Sequence, residues 1–151
     1  MKKITLTVAS LLLAGVLFSQ EYTPPAAAKT ALKSKYPSGV VDEWYDEEDK
    51  IACYFEDNGM YGTAFFTTKG VWINSEFKVT ADDLPESVLN TANTKYQGYD
   101  IIDATKFEYP QQVSYTIYIY NAITDGDLAV TIDTAGKVLK EEDLNADDTF
   151  E

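Results

Sequence analysis

The sequence predicts an α+β protein of two tandem repeats, each one helix followed by a four-stranded antiparallel meander. The two sheets are expected side by side, with both helices on one face. Three observations carry this expectation. First, Pro25-Ala-Ala-Ala-Lys-Thr-Ala-Leu-Lys-Ser-Lys35-Tyr36 is written again as Pro85-Glu-Ser-Val-Leu-Asn-Thr-Ala-Asn-Thr-Lys95-Tyr96, with prolines and Lys-Tyr pairs 60 residues apart. A fixed internal period constrains architecture more strongly than local propensity does. Second, Lys69-Gly70-Val71-Trp72 is answered by Ala135-Gly136-Lys137-Val138, an offset of 66 for the glycine, so the second unit is the longer in its strand region. Third, short alternating segments punctuated by turn residues follow each helical stretch. The boundaries read as 1–20 for a signal peptide, 24–80 and 81–143 for the repeats, and 144–151 for an acidic tail. A unit of about 60 residues buries too little surface to be secure alone, so the two are expected to pack together.

Taken in order, Lys2 and Lys3 form a basic start, and Ile4 to Phe18 is an apolar run without charge. That run is shorter than the ~20 residues a spanning helix needs and fits a secretory leader cleaved near Ser19 or Gln20. No cysteine lies beside it, which speaks against a lipid-anchored cysteine at the mature terminus. Thr23-Pro24 reads as a helix cap and first turn, and Ala28, Leu32, Lys35 and Tyr36 share one helical face. Pro37-Ser38-Gly39 ends that helix. Val40 to Tyr45 and Lys50 to Glu56 read as strands around an acidic turn, Asp46 to Asp49. Asn58-Gly59 is a strong hairpin signal, Tyr61 to Thr67 returns, and Val71 to Val79 is the fourth strand. Asp83, with Glu86 three residues on, reads as a capping box for the second helix, whose inner side is Val88, Leu89, Ala92 and Tyr96. Strands are expected at Asp100 to Phe107, Val113 to Asn121, Leu128 to Asp133 and Lys137 to Asp143, with Tyr109 to Gln112 as a wider loop.

Charge narrows the functional classes. The chain has a formal net charge of −13, no arginine and no histidine. Binding of nucleic acid depends on neutralising phosphates with Lys and Arg, so nucleic acid is not an expected partner. Anionic membrane surfaces are disfavoured by the same sign, and no stable membrane insertion is expected once the leader is removed. A basic protein, a cation or a glycan is compatible with this charge, which also serves simply to keep an exported protein soluble; the expected partner is a protein, and a basic one. Without histidine, the usual general base and metal ligand is missing, and Ser-His and Cys-His arrangements cannot be built. Cys53 alternates with Ile51 and Phe55 and is expected buried. The acidic pairs Asp42-Glu43, Asp82-Asp83 and Asp125-Gly126-Asp127 read as turns or solvated faces. Neither Asp125-Gly126-Asp127 nor Asp46 to Asp49 has the spaced oxygens of an EF-hand loop. No catalysis, no metal and no cofactor are therefore expected.

Motif order points to a resemblance. Pro25 to Lys35-Tyr36-Pro37, Trp44 in the first strand, the Asn58-Gly59 hairpin, Gly70-Val71-Trp72, then Leu84-Pro85-Glu86-Ser87-Val88 and Lys95-Tyr96, together resemble the PepSY-like β-lactamase-inhibitor-like family. The resemblance covers roughly Pro24 to Asp143, and it departs at Gln97, where the first copy has Pro37, and at Val138, where the first has Trp72. It implies an exported protein of two α/β repeats with no established activity. The family's relatives include the β-lactamase inhibitor protein and propeptide-type domains of secreted proteases, which restrain enzymes by binding them.

Strand parity then selects candidate binding residues. If Ile51, Cys53 and Phe55, with Gly62, Ala64 and Phe66 and with Tyr115, Ile117 and Ile119, face the helices, the opposite parity lies on an open face. That face carries Tyr54, Tyr61, Phe65, Tyr118 and Tyr120. Tyrosine is amphipathic and enriched at interfaces. The expected function is an exported, periplasmic or secreted, non-catalytic protein-binding module, inhibitor-like, that presents this aromatic face. The alternatives are a self-associating structural envelope protein and a hydrolase using carboxylates.

Overall fold

In the computed structural model, residues 22–145 are described. The expected leader over 1–20, and the expected tail beyond Asn145, lie outside them. The element order is α1 (Ala26–Lys35), β1 (Val40–Glu47), β2 (Lys50–Asp57), β3 (Met60–Thr67), β4 (Trp72–Val79), a 3₁₀ turn (Ala81–Asp83), α2 (Glu86–Lys95), β5 (Asp100–Tyr109), β6 (Gln112–Asn121), β7 (Gly126–Asp133) and β8 (Val138–Asp143).

The expected architecture of two repeats with side-by-side sheets is not what forms. One eight-stranded antiparallel sheet runs β1 to β8 in sequence order, and the two helices are small beside it. β4 pairs directly with β5, from Ser75 opposite Glu108 to Val79 opposite Ala104. The physical reason lies in the backbone. A meander closed at β4 would leave a row of N–H and C=O groups unpaired, and β5 satisfies them.

Two helix starts also differ from expectation. Thr23 and Pro24 do not open α1: Pro25 is its N-cap, and no side chain caps it. Pro24 precedes another proline, and the residue before a proline is pushed out of the helical region. The same rule acts at Leu84, which is extended (ψ 138°) before Pro85 and separates Asp83 from α2. The Asp83 carboxylate instead accepts from the Thr80 amide (2.9 Å) and hydroxyl (2.7 Å), capping the 3₁₀ turn. Tyr109 to Gln112 is a tight turn at Pro110-Gln111 rather than a wide loop. Asn58 (φ 51°) and Gly59 (φ 82°) both adopt positive φ, as the twist of a two-residue hairpin requires.

Both helices pack on one face of the sheet. The core joins Ala28, Leu32 and Tyr36 of α1 and Val88 and Ala92 of α2 to Ile51, Cys53, Phe55, Phe66, Phe77, Ile117, Ile119, Val130 and Ile132. Tyr36 and Phe55 lie 4.7 Å apart between ring centroids, and Phe55 and Phe77 5.5 Å. Each such ring contributes about 1.5–3 kcal/mol on burial. Gly62 allows this packing, since a Cβ there would sit 2.5 Å from the Phe77 ring. Gly70 (φ 84°) similarly lets the β3–β4 turn approach α1, because a Cβ would meet the Ala28 amide nitrogen at 2.5 Å.

A charged cluster crosses the β4–β5 seam on this helix side. Glu108 of β5 accepts from the Tyr36 hydroxyl (2.9 Å) and pairs with Lys106 (2.7 Å) and Lys35 (3.3 Å). Lys35 Nζ also lies 3.9 Å from the Trp72 ring centroid, and the Trp72 indole donates to Ser75 Oγ at 2.9 Å. Burial raises the Glu108 pKa, but bonds from Lys106, Tyr36 and Lys35 outweigh it and hold the carboxyl below its usual range.

Candidate functional site

The face away from the helices is built by the second half of each alternation. On β2 and β3, Tyr54 stands opposite Thr63, Ala52 opposite Phe65 and Glu56 opposite Tyr61. On β6, Tyr118 stands between Asp103 and Ala129, and Tyr120 between Asp100 and Asp127. The core residues Ile51, Cys53, Phe55, Ala64, Phe66, Tyr115, Ile117 and Ile119 hold the other parity. Tyr54, Tyr61, Phe65, Tyr118 and Tyr120 therefore lie on the open face. They do not form one cluster. Tyr54 on β2 and Tyr118 on β6 are four strands apart, about 19 Å across the sheet.

The first group is the more exposed. Tyr61 is 71% exposed and Tyr54 44%, while Phe65 is half-buried beneath Lys50, whose Nζ lies 4.3 Å from the ring centroid. In the second group Tyr118 and Tyr120 are half-buried, and the Tyr120 hydroxyl donates to Asp125 Oδ1 at 3.0 Å. That bond raises the Tyr120 pKa.

Three further aromatics share the face. Tyr45 meets Tyr54 edge-to-face at 4.8 Å, and its hydroxyl donates to Glu43, which pushes its pKa up to about 12. Phe107 and Tyr109 stack at 6.4 Å with an interplanar angle of 10°. Parity alone would have found these two, since Thr105, Phe107 and Tyr109 alternate with Ala104. Tyr45 was legible only with the β1 register, which is broken by a bulge between Val41 and Glu43. Beside that bulge, a groove of about 660 Å³ opens on the face. Tyr54, Tyr61, Thr63, Glu56 and Glu76 line it, with Lys78 at one side.

Cys53 is buried, and burial pushes its thiol up to about 12, far from a nucleophile's range. Among the described residues, no three His, Cys, Asp or Glu side chains gather where a metal ion could sit. No helix among them is long and apolar enough to cross a membrane.

No family profile and no curated protein matches this sequence. Solved structures do. A BLIP-like protein from Bacteroides fragilis superposes with a TM-score of 0.73 at 21% identity, over 87% of this chain and 95% of that one. A DUF2874 family protein from Bacteroides uniformis gives 0.68 at 22%, over 80% and 90%. A protein from Bacteroides eggerthii, provisionally assigned to the periplasm, gives 0.66 at 21%, over 81% and 90%. These likenesses define the class: the chain has a BLIP-like fold. Identities of this size speak for the fold alone.

Proposed function

We propose that this is an exported, non-catalytic protein-binding module, inhibitor-like, which presents its open sheet face to a protein partner in the periplasm or outside the cell. The observation that carries this reading is the face itself. Among the described residues, eight aromatic side chains stand on the side that no described helix covers, among them Tyr54, Tyr61, Phe65, Tyr118 and Tyr120. Rigid aromatics with few rotatable bonds bind at low entropic cost. The BLIP-like neighbour and the neighbour provisionally assigned to the periplasm support the reading, as does the motif resemblance to PepSY-like proteins. The −13 charge favours a basic partner, whose encounter would slow on adding salt.

Self-association through the sheet edges is disfavoured by charge. β1 carries Asp42, Glu43, Asp46 and Glu47, and β8 carries Glu141, Glu142 and Asp143. Like-charged edges repel. The test uses Tyr118→Ala with Tyr120→Ala and, separately, Tyr54→Ala with Tyr61→Ala, in the mature protein. Against a partner captured from the envelope, each pair should weaken binding by on the order of 2 kcal/mol per anchor residue. Unchanged affinity in both folded variants would remove this face as the binding surface.

A further inference from the structure

We infer that the groove between Tyr54 and Tyr61 is a site for an arginine side chain of the partner. The inference rests on the open face being the binding face. The groove, about 660 Å³, lies beside the β1 bulge and against β2 and β3. Val40 and Val41 form an aliphatic end of the groove, and its other walls are aromatic and acidic. Tyr54 and Tyr61 present exposed rings, and Tyr54 is steadied by its edge-to-face contact with Tyr45. Glu56 and Glu76 present carboxylates from neighbouring rows, with Thr63 between them opposite both Tyr54 and Glu76. The cation at the groove, Lys78, is already paired with Asp103 at 2.7 Å. The groove therefore keeps net negative charge.

Aromatic faces with carboxylates at two sides suit a planar cation on an apolar stem. A guanidinium stacks on tyrosine and donates in a fixed fork to carboxylates, whereas an ammonium is a compact, strongly hydrated point charge. An anionic ligand would meet Glu56 and Glu76. A neutral saccharide would leave the two carboxylates without a counter-charge in a partly desolvated site.

The test needs no identified partner. The mature protein, with its tyrosine rings isotope-labelled, is titrated by NMR with N-acetyl-Ala-Arg-Ala-amide and with the same peptide carrying citrulline. The arginine peptide should shift the Tyr54 and Tyr61 signals saturably, and citrulline should bind about fivefold more weakly, the worth of a favourable exposed ion pair with the carboxylates. Glu56→Gln with Glu76→Gln should abolish that preference, while Asp82→Asn with Glu86→Gln, an equal charge change elsewhere, should keep it. Tyr61→Leu supplies a second variant that retains a strand-compatible apolar side chain. Equal binding of the two peptides, equal loss in the distant variant, or the same shifts with maltotriose would overturn the inference. If the groove shows no arginine preference while Tyr118→Ala with Tyr120→Ala still weakens the captured partner, the inference fails and the protein-binding reading stands. If arginine binds as expected and no face variant affects that partner, the guanidinium site stands and the reading fails.

Discussion

Glu108 is the residue whose environment could least be read from the chain. It follows Ala104 and Lys106 on the helix-facing parity of β5, a parity that the neighbouring strands fill with apolar side chains. The carboxylate is tolerable there because α1 brings Lys35 and Tyr36 to it, and that meeting depends on tertiary packing across 72 residues of sequence. Glu108→Gln should cost roughly 1–2 kcal/mol at pH 7, below the range for fully buried pairs because both lysines reach water. The pH dependence has a definite sign. The folded carboxyl titrates below its usual value, so its stabilisation is complete above about pH 4.5 and is lost as pH falls through the lower, folded pKa. Urea unfolding of wild type and variant should therefore show a stability gap at pH 7 that closes toward pH 3. A gap independent of pH would mean that Glu108 acts through packing rather than charge.

Among the elements, the presence of both helices and of most hairpins was legible, because proline, Asn-Gly and 3.6-residue patterns act locally, whereas the helix starts and the tight Pro110-Gln111 turn were not. The bulges were not. In a strictly alternating reading every residue belongs to one face, whereas the register skips Asp42, Ile73, Ile102 and Leu139. Three of these are apolar and exposed, at 37% for Ile73, 62% for Ile102 and 42% for Leu139, which the alternation alone would not place. Each bulge bends its strand and raises the local twist, and the one in β1 borders the groove on the open face. The edges illustrate a second element-scale effect. β8 of one copy and β1 of the next have the antiparallel sense to continue a sheet, and each of these edges carries acidic side chains and a bulge. Replacing Asp42, Glu43, Asp46 and Glu47 with their amides should produce concentration-dependent association in sedimentation velocity. A variant that stays monomeric under conditions where wild type is monomeric would show that the bulge, rather than charge, guards this edge.

For the whole molecule, the pairing of β4 with β5 decides how the chain unfolds. An internal period in a sequence does not say whether adjacent units share a sheet, because backbone hydrogen bonds carry no side-chain signature; the expectation of two sheets failed for that reason. One continuous sheet ties the two halves of the chain together through Ser75 to Val79 and through the contacts of Glu108 with Lys35 and Tyr36. Such a body should unfold in one cooperative step. Trp44 and Trp72 both lie before residue 80, so their fluorescence reports that part of the chain, whereas far-UV circular dichroism reports all of it. The two urea transitions should coincide. Residues 24–80 expressed alone should give no cooperative transition, because β4 would become a bare edge and the apolar surface left to bury is small. Separated midpoints in the intact protein, or a cooperative melt of that fragment, would mean that the seam joins two independently stable bodies rather than making one.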